Sequence, residues 1–265
     1  MDRENWQPRS AEKRLVACPL VLSVTTFLML SLSARADGLF VEGGAGYGYV
    51  ATSNTKYYDP VGTLFTTNPV DGFGVEPGNV SSAHSRLMGY FSAGYVLSPV
   101  ELQLTYRCFV GGSTTLSGLT FGPGTFTQRM NALTHGVYVG IGREIVLGGG
   151  WSITPLMEVG AAITVASGTR DVGTDLEQTF SARTTMSFSY GAGTAVAKKL
   201  TEHLSARLLV NWDHLGTART GESPDICCQS GEGLVLATSR GLPNVAWIAE
   251  RQSQLSVSIG VRYAP

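Results

Sequence analysis

The sequence predicts an all-β protein, an eight-stranded antiparallel up-and-down transmembrane β-barrel with four long external loops. Three observations carry this prediction. Apolar and polar residues alternate with a period of two in eight separate stretches. The connections between those stretches alternate between long and short. The polar rows hold charged residues, whereas the apolar rows end in aromatics.

The first stretch sets Leu39, Val41, Ala45, Tyr47 and Tyr49 against Phe40, Glu42 and a run of glycines. The second and third, 86–97 and 100–110, flank Ser98-Pro99, with Val100, Leu102, Leu104 and Tyr106 opposed to Glu101, Gln103, Thr105 and Arg107. In the fourth, 132–143, Leu133, Val137, Val139 and Ile141 share a face. The fifth runs from Trp151 to Val165, and its Pro155 deletes a ladder hydrogen bond, so a bulge is expected there. The sixth carries Met186, Phe188, Tyr190 and Ala192; the seventh Leu204, Ala206, Leu208, Val210 and Trp212; the eighth Leu255, Val257, Ile259, Val261 and Tyr263. Long connections fall at 52–85, 111–131, 167–183 and 214–252, and the other three joints are short.

The alternation alone does not say which row faces inward, and length and charge decide it. At about 3.4 Å per residue and a tilt near 45°, rows of this length span about 25 Å, the height of an outer-membrane hydrocarbon band. The polar rows hold Glu42, Arg86, Glu101, Arg107, Glu158, Arg207, Asp213 and Arg262, four acids against four arginines. Such charges fit a packed, paired interior, whereas a soluble ligand-binding barrel of lipocalin type fills its interior with apolar side chains. Glu42 and Arg262 are expected to pair near the turn end, with Arg207 and Glu101 at similar height. Arg86, Arg107 and Asp213 are expected nearer the loops, with Glu158 between the two groups. Tyr47, Tyr49, Tyr106, Phe188 and Trp212 mark one interface, and Tyr95, Trp151 and Tyr263 the other.

Residues 1–36 have the layout of a secretory signal peptide: a polar start ending in Lys13-Arg14, an apolar run from Leu15 to Leu32, and Ala34-Arg35-Ala36 before Asp37. The barrel is then residues 37–265. Removal of the leader takes five basic and three acidic residues and moves the formal net charge from −1 to −3. A weakly acidic chain without a basic stripe is unsuited to nucleic acid.

The mature region resembles the small outer-membrane barrels of the OmpA-like and opacity-protein kind. The most specific piece is the last strand, where Val257, Ile259, Gly260, Val261 and Tyr263 look like the terminal signal read by the barrel-assembly machinery, although Ala264 and Pro265 follow the aromatic. The resemblance implies residence in the outer membrane of a Gram-negative-type bacterium, in contact with its lipid and lipopolysaccharide.

Candidate chemistry is sparse. Asp213-His214 is an acid and histidine pair at a loop end, but no second acid pair rises opposite, and His203-Leu204-Ser205 sits at the turn end. Asp171, Asp175 and Glu177 fall short of a calcium loop. With Cys18 in the leader, Cys108 and the adjacent Cys227 and Cys228 remain; the pair could close on itself, reach Cys108 or stay reduced. No cofactor or metal is implied. The expectation is a non-enzymatic barrel with a structural or adhesive role, its loops meeting a host or cell-surface ligand. The rival is a small-solute pore, and a hairpin hidden in the first or fourth loop would make a wider, ten-stranded ring.

Overall fold

The structure, a computed structural model, describes residues 38–58, 82–97, 99–111, 113–119, 125–171, 177–224, 226–230, 233–236 and 244–265. The leader, Cys18, Asp175 and the side chains of Cys227 and Cys228 lie outside them. Eight strands form the ring: β1 (Leu39–Tyr58), β2 (Ser82–Leu97), β3 (Val100–Val110), β4 (Thr125–Arg143), β5 (Trp151–Asp171), β6 (Glu177–Lys199), β7 (Leu204–Arg219) and β8 (Asn244–Tyr263). Each pairs antiparallel with its neighbours in sequence, and β1 pairs with β8, so no edge is left open. In a hydrocarbon layer that closure is obligatory, because an unpaired edge would leave backbone N–H and C=O groups without water or partner.

The register sets the shape of the ring. From Ala51, Cα partners lead through Ser253, His214, Tyr190, Val159, Val139, Leu104 and Ala93 back to Val41 on the strand of origin. The circuit therefore returns ten residues lower, a shear of ten for eight strands. That stagger corresponds to a tilt of about 40° and an interior just wide enough to be filled by side chains.

Side chains follow the two-residue period strictly through the band. Leu104, Val139, Val159, Leu208 and Ile259 are exposed on the outside, while Thr105, Tyr138, Glu158, Leu209 and Ser258 are buried inside. Tyr47, Tyr49, Phe188 and Trp212 ring the outer surface at the loop end, and Tyr95 and Trp151 do so at the turn end. An exterior apolar belt between two aromatic levels, around a polar interior, is the inverse of a soluble protein and marks a transmembrane barrel.

The structure differs from the sequence expectations at three places. First, β1, β4, β5, β6 and β8 continue well past the outer aromatic level, so much of what reads as loop is paired strand; Asp171, for instance, is the Cα partner of Glu177. Polar strand residues outside the band need no lipid-facing alternation, so the periodic signal stops there although the ladder does not. Second, Pro155 causes no bulge. The β4–β5 register pauses after Gly142↔Leu156 and resumes unchanged at Ile145↔Ile153, where the short strand Ile145–Gly148 folds back on β5. Proline sits where no partner asks for its missing N–H. The ladder irregularities of the ring lie at Val146/Gly148 opposite Ser152 and Trp151, near the turn, at Ala166/Gly168 against β6 and around Gly216 on β7. Third, the extra hairpins do not enter the ring. Ser113–Leu119 pairs on the outer stretch of β4, and Ile226–Ser230 with Gly233–Leu236 forms a separate two-stranded sheet.

Replacing Leu104, Val159 or Leu208 with Arg should lower stability by about 2 to 4 kcal/mol near the midplane. The control Thr105→Ser, on the inner face, should cost far less. Equilibrium unfolding in lipid vesicles measures both.

Candidate functional site

The charged residues of the polar rows meet inside the barrel in two clusters at different depths. At the turn end, β1 supplies Glu42, β3 Glu101, β7 Arg207 and β8 Arg262, and the tilt brings these four positions to one height. Glu42 Oε2 accepts from Arg207 Nη1 at 2.7 Å and from Arg262 Nε at 2.9 Å. Its other oxygen accepts from the Tyr90 hydroxyl at 2.8 Å. Arg262 also holds Glu101 through two parallel bonds, Nη1 to Oε2 at 2.6 Å and Nη2 to Oε1 at 2.9 Å. Arg207 Nη1 stands 3.6 Å from Glu101 Oε1. Two acids and two arginines thus share one neutral, charge-assisted network. The Arg262 guanidinium stacks 3.7 Å above the centre of the Phe40 ring, which closes the network toward the turns.

Nearer the loops, Arg107 on β3 donates to Glu158 on β5 and, at 2.9 Å, to Asp213 Oδ1 on β7. Glu158 also accepts from Gln103 Nε2 at 3.1 Å and from Asn211 Nδ2 at 3.0 Å. The Tyr138 ring lies 4.9 Å from the Arg107 guanidinium carbon, and Ser189 Oγ lies 3.1 Å from the Tyr138 hydroxyl. β3 and β7 are opposite walls of an eight-strand ring, so the Arg107–Asp213 pair spans the lumen.

The eighth charge stands apart. Arg86 does not join Arg107 and Asp213; its Nε donates to His84 Nε2 at 3.1 Å and its Nη1 to Thr134 Oγ1 at 3.3 Å. The shear explains the separation: Arg86 is the Cα partner of Gly48 on β1, well loopward of Glu42. Sequence reasoning also left out the neutral members, Tyr90, Gln103, Tyr138 and Asn211. Their signal was available, since each occupies the inward parity of its strand, but an uncharged polar residue reads there as plain wall.

The remaining sequence candidates separate. Asp213 points inward, whereas His214 points outward and stacks on Tyr190 at 5.0 Å between centroids. His203 is exposed at the turn end, with Nδ1 3.0 Å from the Ala264 carbonyl oxygen. Cys108 is buried in β3. In the last strand Val257, Ile259 and Val261 face outward, and Tyr263 pairs with Val41 at the seam. Gly260 faces inward beneath Tyr90, whose hydroxyl would stand 2.1 Å from any Cβ there.

No protein-family model and no curated protein matches the sequence. Among solved structures, the chain is similar to the Neisserial surface protein A (12% identity, 87% of this chain and 99% of that one, TM-score 0.39). It is similar also to the outer membrane protein OprG from Pseudomonas aeruginosa (10%, 88% and 99%, 0.47). A third is Ail, the attachment invasion locus protein of Yersinia pestis (11%, 86% and 100%, 0.32). By its own strand number, closure and inverted polarity, this chain is a small transmembrane β-barrel.

Glu42→Ala and Arg262→Ala should each destabilise by about 3 to 5 kcal/mol, because each leaves a buried partner short of a counter-charge. The double substitution should cost less than the two together. A double-mutant cycle in urea, with the protein folded in vesicles, reads the coupling.

Proposed function

We propose that this barrel is a sealed, non-enzymatic scaffold of the outer membrane of a Gram-negative-type bacterium, exported through its leader, whose work is a structural or adhesive one done at the cell surface. The observation that carries the reading is the Arg107 guanidinium bound to Asp213 across the lumen, 2.9 Å apart and fully buried. A solute would have to break this pair and then the Glu42–Arg262 network below it. Each break strands charges in an interior remote from water, at a cost of about 3 to 5 kcal/mol for one unpaired partner.

The strand extensions support the surface role. β1 runs from Tyr49 at the outer aromatic level to Tyr58, and β4, β5, β6 and β8 rise comparably. They form a paired collar beyond the outer aromatic level, a suitable platform for binding residues. Against an enzyme, the Asp213 and His214 side chains lie on opposite faces of β7 and could not act on one substrate.

Purified wild-type protein in planar bilayers should give no steady conductance steps. Large, stable steps from the eight-stranded protein would instead favour the small-solute pore. Replacement of the segments beyond the collar by short turns should leave insertion intact and abolish attachment of bacteria to surfaces that the wild-type protein promotes.

A further inference from the structure

The buried side chains of Met88, Phe109 and Leu215 belong to one apolar cluster that also holds Tyr90. On β1, β2 and β8 the inner wall loopward of Met88 is polar again. Thr52 on β1, His84 and Arg86 on β2, and Gln252 and Gln254 on β8 form one continuous patch: Thr52 is the Cα partner of Gln252, Val50 of both Gln254 and His84, and Gly48 of Arg86.

Its hydrogen bonding is unfinished. Thr52, Gln252 and Gln254 are at most 1% exposed, yet neither amide atom of either glutamine nor the Thr52 hydroxyl has a partner. Buried groups of this kind are rarely left unpaired unless something else completes them. Arg86 is equally buried, and both its partners are neutral: a histidine nitrogen that accepts from Arg86 Nε must hold a lone pair, and Thr134 offers a hydroxyl. Arg107, Arg207 and Arg262 each hold two carboxylates. The Gln254 amide extends toward the row of the cation. Gln254 lies across Gly48, where a Cβ would stand 1.9 Å from Nε2, so the glycine lets this amide reach the row that Arg86 occupies.

We infer that this tier is a binding site for a small hydroxycarboxylate, with its carboxylate on Arg86 and its hydroxyls on Gln252, Gln254 and Thr52. One negative charge matches the one lumen arginine that holds no carboxylate among the described residues. A hydroxyl both donates and accepts, as a primary amide requires, whereas a bare inorganic oxyanion would leave both glutamine carbonyls unpaired. Such a site holds whether or not the lumen conducts.

The test uses the full-length mature barrel in detergent micelles, with the side-chain amide signals of Gln252 and Gln254 followed by 15N NMR. Glycerate should shift both signals saturably, and its uncharged counterpart glycerol should not. Arg86→Met should weaken glycerate binding at least about tenfold, as loss of a charge-assisted contact does. Because that variant could fold poorly, Gln254→Leu serves as the second: removal of an unpaired amide should leave the apo barrel at least as stable, while weakening glycerate binding about tenfold. The inference is overturned if glycerate gives no saturable shift, if glycerol or inorganic phosphate shifts the amides equally well, or if Gln254→Leu binds glycerate as the wild type does. In each of those cases the amides serve ordered water or a general anion effect only.

Discussion

Arg107 reaches from one wall of the barrel to the other, and much of the interior is arranged around that reach. A guanidinium buried at mid-lumen needs anions on more than one side, so Glu158 and Asp213 must arrive on β5 and β7 at the height that Arg107 has on β3. The shear of ten places those three positions together. The carboxylates then need donors of their own, which Gln103 and Asn211 provide. Ion pair and register therefore constrain each other: a slip of one strand by a single residue would turn every charge on it toward lipid.

The same logic separates three depths with three behaviours. The turn-end cluster is neutral and bonded through both carboxylates, which suits a permanent plug. The middle cluster holds two acids to one arginine, and the loop-end tier holds one arginine without an acid. Charge is thus balanced over the whole lumen but not within each level: the middle carries one acid in excess and the loop end one arginine. A buried charge is tolerable only where hydrogen bonds or a counter-charge complete it.

The fold was largely legible because the bilayer enforces the code that was read. Every residue in the band has either lipid or lumen on its side, so Leu104 and Thr105 cannot exchange places and the alternation is unbroken. Beyond the aromatic level both faces of a strand meet polar surroundings, and the stretches 50–58, 166–171 and 177–185 carry no alternation by which to recognise them. Pro155 was misjudged for a related reason: the residue type says that a ladder bond is missing, but not that the neighbouring strand happens to turn away at that point.

Within the site, the sequence by itself determined which residues face the lumen, that their charges cancel, and that Glu42 and Arg262 lie near the closing seam. Parity and strand order suffice for that much. Which arginine meets which acid was decided only in three dimensions, because pairing across a barrel depends on the shear, and the shear accumulates over eight registers that no single strand encodes. Arg86 shows the difference. On the sequence it is one more inward charge near Arg107 and Asp213, but the accumulated stagger carries it a level higher, among neutral side chains that cannot balance it.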